Sequence, residues 1–288
     1  MKSLARSLVA AVGTALGAAS HAAPALTPAN YVDVGDTIVE MLDTSALASS
    51  TMLLGQDAMP RALLASLTTP PAQTQTFNTP CPGGGSVSGS ILDRDASGDM
   101  SVNDRFVTVF KACRVGNETV SGSSEFVITA SRTLNGVETT ELAFRFHHLG
   151  SEAMRWDGPA RASLRSDRKT GAEQFNVTYQ DMAVTRGAQS TRWNFTLEVR
   201  RPPLGDHTAQ IGGAMTLGHD VLRLVQDEPF VVTPGGQPRA GQLSATDADG
   251  DRLEVVAGRR RYQYRFFAHG NRGVVPDSSS QSKLHGGS

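Results

Sequence analysis

From Cys81 onward, apolar residues recur at every second position, and that period is what most constrains the fold. In STRWNFTLEV, Trp193, Phe195, Leu197 and Val199 alternate with Arg192, Asn194, Thr196 and Glu198. On an extended chain this spacing turns one set toward a core and the other toward water. Phe175, Val177 and Tyr179 do the same in EQFNVTYQD, as do Leu142, Phe144 and Phe146 in ELAFRFHH. Further strand candidates are residues 105–111, 124–132, 210–216, 228–233, 252–257 and 260–267, each bounded by Gly, Asn, Asp or Pro clusters that suit hairpin turns. The strands alternate cleanly, and no helical crossovers separate them, so antiparallel pairing with one solvated face is expected. The fold class that follows is mainly β: an antiparallel meander, as an open or rolled sheet or a sandwich, with a short helical N-terminal lead-in. Two short echoes, Val87-Ser88-Gly89-Ser90 against Val120-Ser121-Gly122-Ser123 and Phe144-x-Phe146 against Phe175-x-Val177, are consistent with stacked similar hairpins. Hydrophobic residues are 39% and charged residues 19% of the 288, with Ser, Thr, Gly, Asn and Gln filling the difference, as in many exported β-proteins.

The N-terminus carries an address. Lys2 and Arg6 precede the apolar run Leu8 to Ala19, and Ser20-His21-Ala22 supplies a small-x-small site. This is the pattern of a secretory signal peptide over 1–22, cut after Ala22, since a cut after Ala23 would place Pro24 just past the scissile bond. Residues 23–80 read as short helices followed by the Pro/Thr-rich linker TTPPAQTQTFNTP, 81–275 as the β-domain, and 276–288 as a disordered tail. No segment after the leader is long and apolar enough for a transmembrane helix. Loss of Lys2 and Arg6 leaves 25 basic residues against 28 acidic ones, a net charge of −3, which argues against a general nucleic-acid binder. Periplasmic or extracellular localisation is expected. In that compartment Cys81 and Cys113, the only two cysteines, most simply form one disulfide, the alternative being two buried thiols.

One segment carries chemistry. Residues 93–104 are DRDASGDMSVND. On the twelve-residue calcium-loop template, Asp93, Asp95 and Ser97 take positions 1, 3 and 5, Gly98 the sharp turn, Asp99 the carbonyl position 7, Ser101 position 9 and Asp104 position 12. A hard cation needs six to eight oxygens at ~2.3–2.6 Å, and a loop turning at Gly98 brings alternate side chains inward. Calcium is therefore the expected cofactor; the alternative is an Asx-turn in which the aspartates serve their own backbone N–H groups. The loop resembles the dockerin-type variant of the EF-hand, in which Asp closes the site. Those loops lead into a helix, whereas Arg105-Phe106-Val107-Thr108-Val109-Phe110 reads as a strand. A second acidic turn, Asp247, Asp249 and Asp251 around Gly250, is first a hairpin turn and second a weak calcium site.

The run Cys81-Pro82-Gly83-Gly84-Gly85, the Asp-rich loop ending Asn103-Asp104, Phe110-Lys111-Ala112-Cys113 and Val120-Ser121-Gly122 resembles a class of uncharacterised exported β-rich proteins of Gram-negative bacteria. The resemblance implies export and the disulfide, and it brings no established activity. It covers residues 80–255; past the final D-x-D-G-D turn this chain departs from the class by continuing through a basic stretch.

In that stretch Arg261, Gln263 and Arg265 share one strand face, opposite Tyr262, Tyr264 and Phe266. Arg261 and Arg265 would suit an anionic polysaccharide or envelope component, or else form the solvent side of a final strand. No G-x-S-x-G elbow and no H-x-x-x-H or H-x-H spacing is present. A transmembrane barrel is disfavoured by the hydrophilic Gly-Gly-Ser end. The expected function is a non-enzymatic exported binding or scaffold domain with a structural calcium loop. The rival is an exported hydrolase acting on a polysaccharide or envelope substrate, which needs paired acids in a groove.

Overall fold

The alternating segments form strands of a single antiparallel sheet, in which almost every strand pairs with its neighbours in sequence. The computed structural model describes residues 26–39, 41–42, 74–97, 101–115, 118–187, 189–233, 238–258, 261–268 and 278–279; the expected leader at 1–22 lies outside them. The strands are β1 (Thr74–Pro80), β2 (Ser86–Leu92), β3 (Arg105–Val115), β4 (Glu118–Leu134), β5 (Val137–Gly150), β6 (Arg155–Asp167), β7 (Glu173–Tyr179), β8 (Met182–Arg186), β9 (Gln189–Arg201), β10 (His207–Leu217), β11 (Asp220–Val232), β12 (Pro238–Thr246), β13 (Arg252–Gly258), β14 (Arg261–Phe267) and the short β15 (Ser278–Ser279). β7 and β8 both lie between β6 and β9, in the same direction and end to end. They are one rank broken at Gln180-Asp181, where Asp181 takes a left-handed φ of 54°. With that break counted, the topology is a plain meander.

Two boundaries differ from the expected ones. The sheet starts at Thr74 rather than Cys81, because the last seven residues of the Pro/Thr segment pair with β2 from Thr74↔Leu92 to Pro80↔Ser86. Phe77 is the only large apolar residue in β1, so the segment lacks an apolar face to announce it; a polar strand ending in proline suits a sheet edge. In the tail, Ser278–Ser279 add to β14, and the rest of 276–288 falls outside the described residues.

The described part of the lead-in, residues 26–42 without 40, packs against the sheet. Residues 31–39 and 41–42 are helical (α1). Its start is a reciprocal cap: Asn30 N–H donates to Thr27 Oγ1 at 3.2 Å, and Thr27 N–H to Asn30 Oδ1 at 2.8 Å. Tyr31, Val34, Ile38, Val39, Met41 and Leu42 then enter the same buried cluster as Trp193, Phe230, Leu243, Tyr264 and Phe266. The contact is close: a Cβ on Gly35 would lie 2.8 Å from the Tyr264 ring, whose hydroxyl donates to Asp36 Oδ1 at 2.7 Å. Burial of aromatic side chains such as Trp193 and Tyr264 stabilises by about 2–3 kcal/mol each.

Core depth is uneven across the sheet. The main cluster draws on α1 and on strands β5 to β14, whereas Ile91, Phe106 and Ile128 form a small separate cluster over β2–β4. Phe126 joins the two, stacked on Phe106 at 4.4 Å and tilted against Phe144 at 5.6 Å. The β1–β4 end thus has little apolar burial of its own, and it is the end that carries both cysteines and the acidic loop.

Candidate metal centre

β2 and β3 form a hairpin held at both ends. At one end Cys81 and Cys113 are joined as a disulfide with Cα atoms 5.4 Å apart. The glycines after Cys81 let the chain turn against β3: Cys81 N–H donates to Gly85 O at 3.1 Å, and Arg114 N–H to Gly84 O at 2.9 Å. Gly85 has φ +75°, and a Cβ there would stand 2.0 Å from the Ala112 carbonyl oxygen, so only glycine fits.

At the other end, the last pair of the hairpin is Leu92↔Arg105, which places Asp93 and Asp104 next to each other in the ladder direction. Both are buried, at 7% and 2% exposure, while Asp95 is exposed. Carboxylate oxygens of Asp93, Asp95 and Asp104 lie within 4.8 Å of one another. Asp104 is fixed from several directions. Its Oδ1 accepts from Arg94 N–H at 2.9 Å, and its Oδ2 from Ser101 N–H at 2.7 Å and Ser101 Oγ at 3.3 Å. Its backbone continues the ladder onto β4: Ile128 N–H donates to Asp104 O at 3.1 Å, and Asn103 N–H to Ile128 O at 2.8 Å.

Ser97 and Ser101 are drawn toward Asp95. Their hydrogen bonds, the Ser97 side chain first, lower the Asp95 pKa to about 2. Asp93 is within hydrogen-bonding reach of the same carboxyl. Asp93, Asp95 and Asp104 thus come together, with Ser97 and Ser101 hydrogen-bonded to them; Gly98, Asp99 and Met100 fall outside the described residues. Each carboxylate has about four lone-pair sites, so the N–H bonds to Asp104 leave room for a cation. The same bonds also serve an Asx-turn, so only the convergence of three carboxylates separates the two readings. The part of Ile128 as backbone anchor was not signalled in the sequence, because it comes from a strand paired across the sheet.

The second acidic turn is built differently. Asp247 is buried and acts as a cap: Oδ1 accepts from Asp249 N–H at 3.1 Å and Asp251 N–H at 2.9 Å, and Oδ2 accepts from Leu26 N–H at 3.2 Å. Among the described residues, Asp247, Asp249 and Asp251 do not form a group able to hold a metal. This carboxylate ties the start of the lead-in to the β12–β13 turn. Asp247→Ala is expected to cost about 2–4 kcal/mol, through three backbone donors left without their acceptor, and the loss in a urea melt should be the same with calcium as with EDTA.

On β14, Tyr262, Tyr264 and Phe266 face the core and Arg261 faces solvent. Arg265 stands opposite Glu254, which Arg252 also contacts at 3.0 Å. The cationic face is thus partly matched by acid on the neighbouring strand. No helix among the described residues is long and apolar enough to cross a membrane. Compared with known proteins, the chain matches no family model, no curated protein and no solved structure.

Proposed function

We propose that this chain is an exported, non-enzymatic β-domain with a binding or scaffold role at the cell envelope or outside the cell, and that Asp93, Asp95 and Asp104 hold a structural calcium ion. The observation that carries the metal reading is the meeting of three carboxylates within 4.8 Å, two of them buried, at the mouth of one hairpin. Ser97 and Ser101 would complete part of the oxygen shell, with the position-7 carbonyl of Asp99 and water supplying the remainder. The ion would hold together hairpin ends whose carboxylates otherwise repel, at the end of the sheet with the smallest core. Export is supported by the leader pattern at 1–22 and by a disulfide of the kind that persists in oxidising compartments.

Isothermal titration of EDTA-stripped protein with calcium tests this directly. One ion per chain is expected in the wild type and none in Asp93→Ala/Asp95→Ala, with Asp247→Ala still binding one. Asp95 sets a pH signature. Its folded pKa near 2 lies below the unfolded value of ~3.9, so its contribution to stability is complete above about pH 4 and fades as the pH falls toward 2.

A further inference from the structure

The solvent side of the sheet carries cross-strand rows of modest polar side chains. One row runs Ser163, Asn176, Glu198, Gln210 across β6, β7, β9 and β10. In the adjacent row Thr178 and Thr196 share a hydroxyl hydrogen bond of 3.0 Å, and the next position, on β10, is Gly212. Beyond it β11 bulges, spending six positions between Phe230 and Leu224 where β10 spends four between Ala209 and Gly213. Gln226 braces the bulge, accepting from Ile211 N–H at 3.1 Å and donating to Gln242 O at 2.8 Å. The result is a depression of about 390 Å³ lined by Thr196, Glu198, Gln210, Gly212, Gln226 and Asp227.

Gly212 marks this depression as built. Its φ is not left-handed, and a Cβ there would meet nothing within 4 Å, so the fold has no need of glycine at that position. Neighbouring Gly213 is the contrast, with φ +138° and a Cβ position 2.5 Å from Asn194 O. A glycine within a strand weakens it. At 212 it leaves the floor of the depression without a side chain.

We infer that this depression is a binding subsite for a neutral, hydroxyl-rich ligand: a mono- or disaccharide unit seated over Gly212. The depression is open to solvent and has the size for a small ligand resting on the sheet rather than enclosed in it. Thr196 and Gln210 offer both donors and acceptors, and the carboxylates of Glu198 and Asp227 are acceptors for sugar hydroxyls. Neither carboxylate calls for a bound cation, because Glu198 pairs with Arg200 and Asp227 accepts from the Ser244 hydroxyl. Asp227 leaves the depression acidic, which disfavours an anionic sugar, while Glu198 is matched by Arg200. The site is separate from the acidic loop and from the Arg261 and Arg265 face.

The test uses the full chain in saturation-transfer difference NMR and calorimetry with glucose, galactose, N-acetylglucosamine, maltose and cellobiose as neutral probes and galacturonate as the anionic one. At least one neutral sugar is expected to bind and galacturonate not. Gly212→Val should weaken binding at least tenfold without lowering the melting temperature, and Thr196→Val, which keeps side-chain volume, should weaken it several-fold. Absence of binding by every neutral probe, or unchanged binding in both variants, overturns the inference. Binding of galacturonate in preference to the neutral sugars overturns it as well.

Discussion

Replacing both cysteines, Cys81→Ser/Cys113→Ser, lowers unfolding stability by about 3–4 kcal/mol, since the bridge spans a sequence separation of 32 and loop-closure entropy at that length has this size. The loss should also be local. The bridge joins the β1–β2 turn to the far part of β3, at the opposite end of the hairpin from its one small cluster, Ile91, Phe106 and Ile128, so that end has little burial of its own to fall back on. Hydrogen exchange of the reduced protein should quicken first in β1–β3, while β9–β14, packed around Trp193 and Tyr264, keep their protection. Uniform loss of protection across the sheet would contradict the view of this end as a separately fastened unit.

Asp104→Ala is the second large effect, and it does not depend on the ion. The carboxylate is buried and accepts from Arg94 N–H, Ser101 N–H and Ser101 Oγ. Hydrogen bonds to a charged acceptor contribute ~1.5–3 kcal/mol each, and removing the acceptor takes away the partner of half-buried donors around a buried position. A loss of about 3–5 kcal/mol is expected in EDTA, with Asp104→Asn losing less because one oxygen survives. Asp95→Ala should cost clearly less than Asp104→Ala in EDTA, since Asp95 is exposed and serves only its own loop. Chemical denaturation in EDTA checks the ordering, and an Asp95 variant as costly as the Asp104 variant would show that both residues merely shape the turn.

These expectations rest on features that differ in how far the sequence exposed them. Strands β7, β9, β13 and β14 were legible because Phe175, Trp193, Leu253 and Tyr264 sit in alternation with polar neighbours, and one buried face leaves a period of two. β6 was not. Gly158-Pro159 interrupts it, and its buried positions are Ala160 and Ala162, too small to mark a face. β1 escaped for a related reason, being an edge strand of Thr, Gln and Asn with only Phe77 to bury. The meeting of Asp93, Asp95 and Asp104 was legible because their spacing within 93–104 is local and needs no tertiary contact. The docking of α1 was hidden, because it depends on Tyr264 and Asp247, more than two hundred residues away. The Gly212 depression was equally hidden, since it arises from a register mismatch between β10 and β11 rather than from a motif.

The central claim is that the acidic loop is a calcium site fastening the thin end of the sheet. The most direct measurement is a thermal melt of the oxidised protein in EDTA and then in millimolar calcium, repeated on Asp93→Ala/Asp95→Ala. A midpoint that rises with calcium in the wild type, by an amount equivalent to ~1–3 kcal/mol at tens to hundreds of times the dissociation constant, and does not move in the double variant is the predicted result. A wild-type midpoint indifferent to calcium would contradict the claim and leave Asp93, Asp95 and Asp104 as the elements of an Asx-turn.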